Sequence, residues 1–243
     1  MAVDLHKFAN PARFLRIANA IFPWSIVATA LLLSGGLYLS LVGSPEDYQQ
    51  GDTVRIMFIH VPAAWMSMSV YTMMAVAAAV GLIWKHPVAD LSAKAAAPIG
   101  ACFTFLTLVT GALWGQPMWG TYWVWDARLT SFLILFFLYL GYIALWSSFD
   151  DQSKASKAAA ILVLVGVINV PIIKFSVDWW NTLHQPASVA TMDGPKIHSS
   201  ILIPLLVMGL AYTSLFVTLF IIRVKAEILG RRLRLLQINR LQE

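Results

Sequence analysis

Two residue types carry the chemistry that this sequence could perform: five histidines and ten tryptophans. Four of the tryptophans, Trp114, Trp119, Trp123 and Trp125, fall within twelve residues. Indole rings bury a large area and stack on π-faces, so a cluster of this kind suits a flat apolar ligand. The run from Trp119 through Tyr122, Trp123 and Trp125 closes with Asp126 and Arg128, an acid and a base that give the aromatic cluster a polar edge. The competing reading is a membrane-interface belt, which accounts well for Trp24, Trp84 and Trp146 at the ends of apolar runs. Two histidines sit beside aromatic residues. His60 opens His60-Val61-Pro62-Ala63-Ala64-Trp65, and His184 closes Trp179-Trp180-Asn181-Thr182-Leu183-His184.

The elements that must position these residues are membrane spans. The chain is 59% hydrophobic and 12% charged, against about 25% charged in soluble domains. A spanning helix needs roughly 20 apolar residues to cross about 30 Å of hydrocarbon. Six runs meet that need, near Ile21–Val42, Ile59–Trp84, Ala95–Trp114, Leu129–Trp146, Ala158–Ile173 and Ser200–Ile222, the fifth of them marginal without tilt. The reading is an all-α membrane bundle of six transmembrane helices, one domain over residues 1–243, with no internal repeat. The first run is long and lacks a convincing cleavage motif, so it reads as a span rather than a signal peptide. Six spans place both termini on one face. That face collects thirteen of the seventeen Lys and Arg, among them Lys7, and the other has Arg55, Arg128, Lys174 and Lys196. The positive-inside rule makes the termini cytoplasmic and the first, third and fifth loops outward. Residues 223–243 mix basic side chains with Ile228, Leu229, Leu233, Leu235, Leu236, Ile238 and Leu241, and read as a basic amphipathic cytoplasmic tail, suited to anionic membrane lipid or to a partner. The net charge of +5 is spent on topology in this reading, and nucleic acid is not an expected partner.

Topology then joins the two residue types. His60 and His184 face outward, on the same side as the tryptophan cluster. Two neutral imidazoles can hold haem iron from opposite faces, aromatic walls suit the macrocycle, and cations suit its propionates. Arg55 and Arg128 are the outward arginines, and the guanidinium fork pairs well with carboxylates; Lys174 and Lys196 are weaker candidates. His6 and His86 fall on the opposite face and receive no role, and His198 lacks flanking aromatics. The single Cys102 excludes an internal disulfide, lies in an apolar run and is expected to be buried. There is no C-x-x-C-H for covalent haem attachment, so a bound haem would be haem b. No nucleophile, base or metal site argues for an enzyme. Two other readings stay open: a b-type membrane cytochrome in electron transfer, and a ligand-free membrane subunit of an ABC-type exporter.

The segment from Trp119 to Ser131 resembles the tryptophan-rich WWD signature of a superfamily of haem-handling membrane proteins. At six spans and 243 residues the chain looks like the CcmC branch of cytochrome c maturation proteins. The segments at His60–Trp65 and Trp179–His184 also resemble that branch, and the likeness runs over about the whole length. Tyr122 stands where many relatives carry Trp, and a ring is retained. The resemblance implies a haem held at the periplasmic face of the bacterial inner membrane. His60 and His184 would be its axial ligands, and Trp114, Trp119, Trp123, Trp125 and Asp126 its platform. It implies delivery to a periplasmic haem chaperone, and work beside an ABC-type complex of an ATPase, a membrane subunit and a small single-span protein.

Overall fold

The computed structural model describes residues 10–185, 188–189, 191 and 194–240, so His6, Lys7 and Leu241 lie outside the described residues. Seven α-helices follow one another: α1 Pro11–Tyr38, α2 Met57–Trp84, α3 Pro87–Trp119, α4 Ala127–Ser147, α5 Gln152–Gly166, α6 Asn169–Trp179 and α7 Ser199–Arg240. A π-helical turn at Leu39–Gly43 extends α1, and a 3-10 turn at Asp52–Ile56 leads into α2. Among the described residues there are no strands. Six helical segments are long and apolar enough to cross a membrane, with α5 and α6 together making the fifth.

Local chemistry sets the helix ends. Asn10, His86, Asp126 and Asp151 each accept a backbone N–H in the first turn of the helix that follows. His86 thus has a structural task, with Nδ1 accepting from Ala89 N at 3.2 Å. At its far end α3 stops on Gly120, whose φ of 76° is open to glycine at little cost. The helices outrun the apolar runs. α3 begins two turns before Ala95 and ends a turn past Trp114, because its first residues are alanine-rich helix formers and Pro87 suits a helix start. Pro62 lies in the second turn of α2, because the 3-10 turn lets the helix start at Met57.

The fifth crossing is broken. Val167 and Ile168 separate α5 from α6, and Val167 lies four residues before Pro171. Proline has no N–H for that carbonyl and its ring crowds it, so a helix breaks or kinks there. Instead the Val167 carbonyl accepts from Val170 N at 3.0 Å.

The core lies between α2, α3, α4 and α5, with α7 packed outside α2 and α3, and α1 on α7. Tyr71, Tyr139, Leu135, Met74 and Phe58 are fully buried there. Gly100 admits the Tyr139 ring and Gly166 admits the Tyr71 hydroxyl; a Cβ at either glycine would collide with its guest. α1 and α7 are tied by Thr29, whose hydroxyl meets Ser214 at 2.9 Å and Thr218 at 3.0 Å. Cys102 departs from expectation: it is exposed, on the outer strip of α3 that also shows Phe105 and Val109. An apolar run in a membrane helix includes its lipid-facing side, so hydrophobic neighbours did not imply burial.

Candidate functional site

At the end of the bundle where α2 begins and α3 ends lies a cavity of about 550 Å³. Its walls come from α2, α3, the start of α4, α6 and the segment after α6. The broken helix makes room for it. α5 packs against α2 and α4, whereas α6 stays on α4 and touches α2 little. His60 and His184 both line the cavity, although 124 positions separate them in the chain. They lie within electrostatic reach of one another.

His60 is held by α3. Its Nδ1 lies 3.1 Å from the Thr110 hydroxyl. That hydroxyl donates its own hydrogen to the Leu106 carbonyl at 2.7 Å, so its oxygen accepts from His60. The proton therefore sits on Nδ1, and the Nε2 lone pair is left for a ligand. Gly111 lets the ring in: a Cβ there would stand 3.0 Å from His60 Cε1. Trp114 meets the ring edge-on, with centroids 5.7 Å apart, and donates from Nε1 to Gln50 at 3.0 Å.

His184 is held by the WWD segment. Its Nδ1 lies 3.1 Å from Asp126 Oδ2. An ionised carboxylate can only accept, so this imidazole also carries its proton on Nδ1 and leaves Nε2 free. The other Asp126 oxygen caps α4, accepting from Leu129 N at 2.8 Å. One carboxylate thus starts a helix and orients an imidazole. Burial pushes the His184 imidazole below its ordinary 6.5, and Asp126 recovers only part of the shift. The ring is therefore neutral at pH 7, the form that binds a metal. Trp119 packs against it, with centroids 4.9 Å apart.

The remaining predicted residues divide. Trp114, Trp119, Trp123 and Arg128 line the cavity. Trp123 has its Nε1 buried without a hydrogen-bond partner among the described residues, which offers a donor to an incoming acceptor. Arg128 donates from Nε to Ser176 at 3.1 Å and turns Nη2 toward the carbonyls of Ile173 and Lys174, so part of its fork already ties α4 to α6. Trp125 is 75% exposed and packs on Trp123 from outside. Asp126 acts behind His184 rather than in the wall. Arg55 pairs with Asp52 at 3.0 Å and does not line the cavity. His198 caps the start of α7, with Nδ1 2.9 Å from the Ser200 hydroxyl.

Sequence reasoning passed over Gln50, Trp65 and Asp178 and left Lys174 aside, yet all four line the cavity. Trp65 could have been found from its place one turn past His60 on the same helix. Gln50 had no signal in the sequence.

Comparison with known proteins decides the family. The profile of the family described as CcmC, Heme exporter protein C, matches residues 4–239. The chain belongs to the CcmC family. A relative from Bradyrhizobium diazoefficiens named Heme exporter protein C is 63% identical over 235 residues, covering 97% of this chain and 89% of its own length. One of the same name from Haemophilus influenzae is 50% identical over 225 residues, covering 93% and 92%. A Marchantia polymorpha protein named as a putative cytochrome c biosynthesis ccmC-like mitochondrial protein is 49% identical over 209 residues, covering 86% of each chain. The CcmC resemblance read from the sequence is thereby borne out, together with the six segments able to cross a membrane.

Proposed function

We propose that this CcmC-family chain holds haem in the cavity and delivers it to a haem chaperone at the periplasmic face of the inner membrane, during c-type cytochrome biogenesis. One observation carries the reading. Two imidazoles line a single aromatic cavity, and each has its Nδ1 proton engaged and its Nε2 lone pair available. Support comes from the family's description as a haem exporter and from the cytochrome c biosynthesis named in the Marchantia relative.

The cavity fits such a ligand. About 550 Å³ lies within the ordinary size range of ligand sites. Its wall combines indole rings with Arg128, Lys174 and the unpartnered Trp123 Nε1, which suits a flat apolar body with acidic edges. His60 and His184 would hold the iron through their Nε2 nitrogens. Arg128 and Lys174 meet the propionates, and Arg55, paired with Asp52 away from the wall, serves at most at the rim. Bound haem brings the iron and the macrocycle to be transferred, while the protein orients it and shields its faces from water.

A b-type cytochrome carrying electrons across the bilayer stacks its histidine pairs within the spans. Here His86 and His198 cap helices, which leaves one pair among the described residues, at one end of the bundle. Release would then pass haem outward to the chaperone, with an ABC-type complex of ATPase, membrane subunit and small single-span protein acting downstream.

The test is the absorbance spectrum of the purified protein with its haem. A bis-imidazole spectrum is expected for the natural sequence, and His60→Ala and His184→Ala should each lose or weaken it while the protein still folds. Unchanged haem in either variant would overturn the ligand pair. Failure of the same variants to load the chaperone in cells, with electron transfer elsewhere intact, separates delivery from a cytochrome role.

A further inference from the structure

The opposite end of the molecule carries a second feature. α7 runs unbroken from Ser199 to Arg240. Its 42 residues make a rod about 63 Å long at 1.5 Å per residue. Hydrocarbon and headgroups together take up about 40–45 Å. Even at a tilt of roughly 40°, the upper end of the usual range, the rod reaches about 48 Å along the membrane normal. Its last turns therefore stand in water, beyond the headgroups.

The root of this extension is built into the bundle. Val224 and Ile228 are buried against Leu91 and Ala95 of α3. Glu227 pairs with Lys94 at 2.8 Å, and the Lys94 ammonium lies 4.9 Å from the Trp146 ring. Arg231 is within electrostatic reach of Asp90. From Leu229 to Arg240, every described side chain is exposed. That stretch of 12 residues carries Arg231, Arg232, Arg234 and Arg240 and no acid. Leu229, Leu233 and Leu236 follow at helical spacing and are 49%, 61% and 60% exposed. A helix of about 12–15 residues is marginal in water unless it packs on something.

We propose that this arm is the docking surface for an acidic, amphipathic helix of a cytoplasmic partner protein. The leucine stripe supplies the apolar seam, Arg232 and Arg240 border it, and a stretch with four arginines and no acid selects an acidic partner. Lipid is the less fitting occupant, because the arm continues the axis of a spanning helix instead of turning along the surface. The inference is independent of the haem site.

The experiment places a spin label at Gln237→Cys, exposed beside the leucine stripe, in the full chain with Cys102→Ala. Collision with a water-soluble nickel reagent and with oxygen is then compared in two settings. In proteoliposomes of mixed neutral and anionic lipid, the label should be open to nickel. In vesicles of the native membrane it should become immobile and shielded from both reagents, and Arg232→Glu with Arg240→Glu should undo that shielding. Oxygen-rich, nickel-poor collisions in the proteoliposomes would place the arm on lipid and overturn the proposal. So would equal nickel access in both settings, or shielding that survives the charge reversal.

Discussion

At the scale of single residues, Asp126 is the most informative position, because it does two separable things. It caps α4 through one oxygen and fixes the His184 tautomer through the other. Asparagine caps a helix as well as aspartate does. Its amide, however, presents an N–H₂ to His184 Nδ1 when its oxygen faces Leu129 N, and that favours the tautomer with the proton on Nε2, where no metal can bind. Asp126→Asn should therefore leave thermal stability nearly unchanged and weaken haem retention by about 10–100-fold, the usual effect of losing a partner behind a metal ligand. Haem titration beside thermal melts checks this; a variant that loses stability and haem together would assign Asp126 to the fold alone. The sequence made the aromatic cluster and the two histidines beside aromatic residues legible, because each is written within a short run. It did not reveal that Asp126 stands behind His184, 58 positions away. Nor did it reveal that Arg55 is engaged by Asp52, since an arginine's charge says nothing about which carboxylate it meets.

At the scale of elements, the cavity depends on a helix that fails to continue. Were α5 and α6 one straight helix, α6 would remain beside α2, as α5 does, and the space lined by Met57, Val61 and Ala64 on one side and Val177 on the other would narrow. Pro171 is the cause, and its position is specific: the carbonyl it denies belongs to Val167, where α5 stops. A proline inside a helix costs about 3 kcal/mol. Pro171→Ala should restore the backbone donor, straighten the crossing and raise thermal stability, while haem content falls by about tenfold, or roughly 1.4 kcal/mol. Melting temperature and haem stoichiometry measured together decide it, and a stabilised protein with full haem would show that the cavity does not depend on the break. Six spans could be read from hydropathy, and the fifth looked marginal in length for a reason the structure makes plain. Where hydropathy was blind was in direction around a helix. It could not tell the lipid-facing strip holding Cys102 from the core-facing strip of Phe103 and Thr104, because both are suitable for an apolar medium.

At the scale of the whole molecule, the arrangement is polar in the directional sense. One end gathers the indoles and the two imidazoles; the other gathers the first turns of α1, the Lys94–Glu227 pair and the arginine-bearing extension of α7. An even number of crossings fixes that the termini share a face, but the helices by themselves do not say which compartment it meets. The orientation we propose rests on the distribution of Lys and Arg, thirteen against four. The outward four are also partly committed: Arg55 to Asp52, and Arg128 and Lys174 to the cavity wall. Arg128 and Lys174 are charges of the cavity wall rather than of a topogenic loop, which widens the asymmetry that matters for insertion. A reporter fused after Glu243 should accordingly read as cytoplasmic, and one inserted near Asn181 should read as periplasmic. The inverse pair of readings would put the imidazole cavity on the cytoplasmic side, where it could not serve a periplasmic chaperone, so this measurement bears on the proposed delivery as directly as any variant of the site.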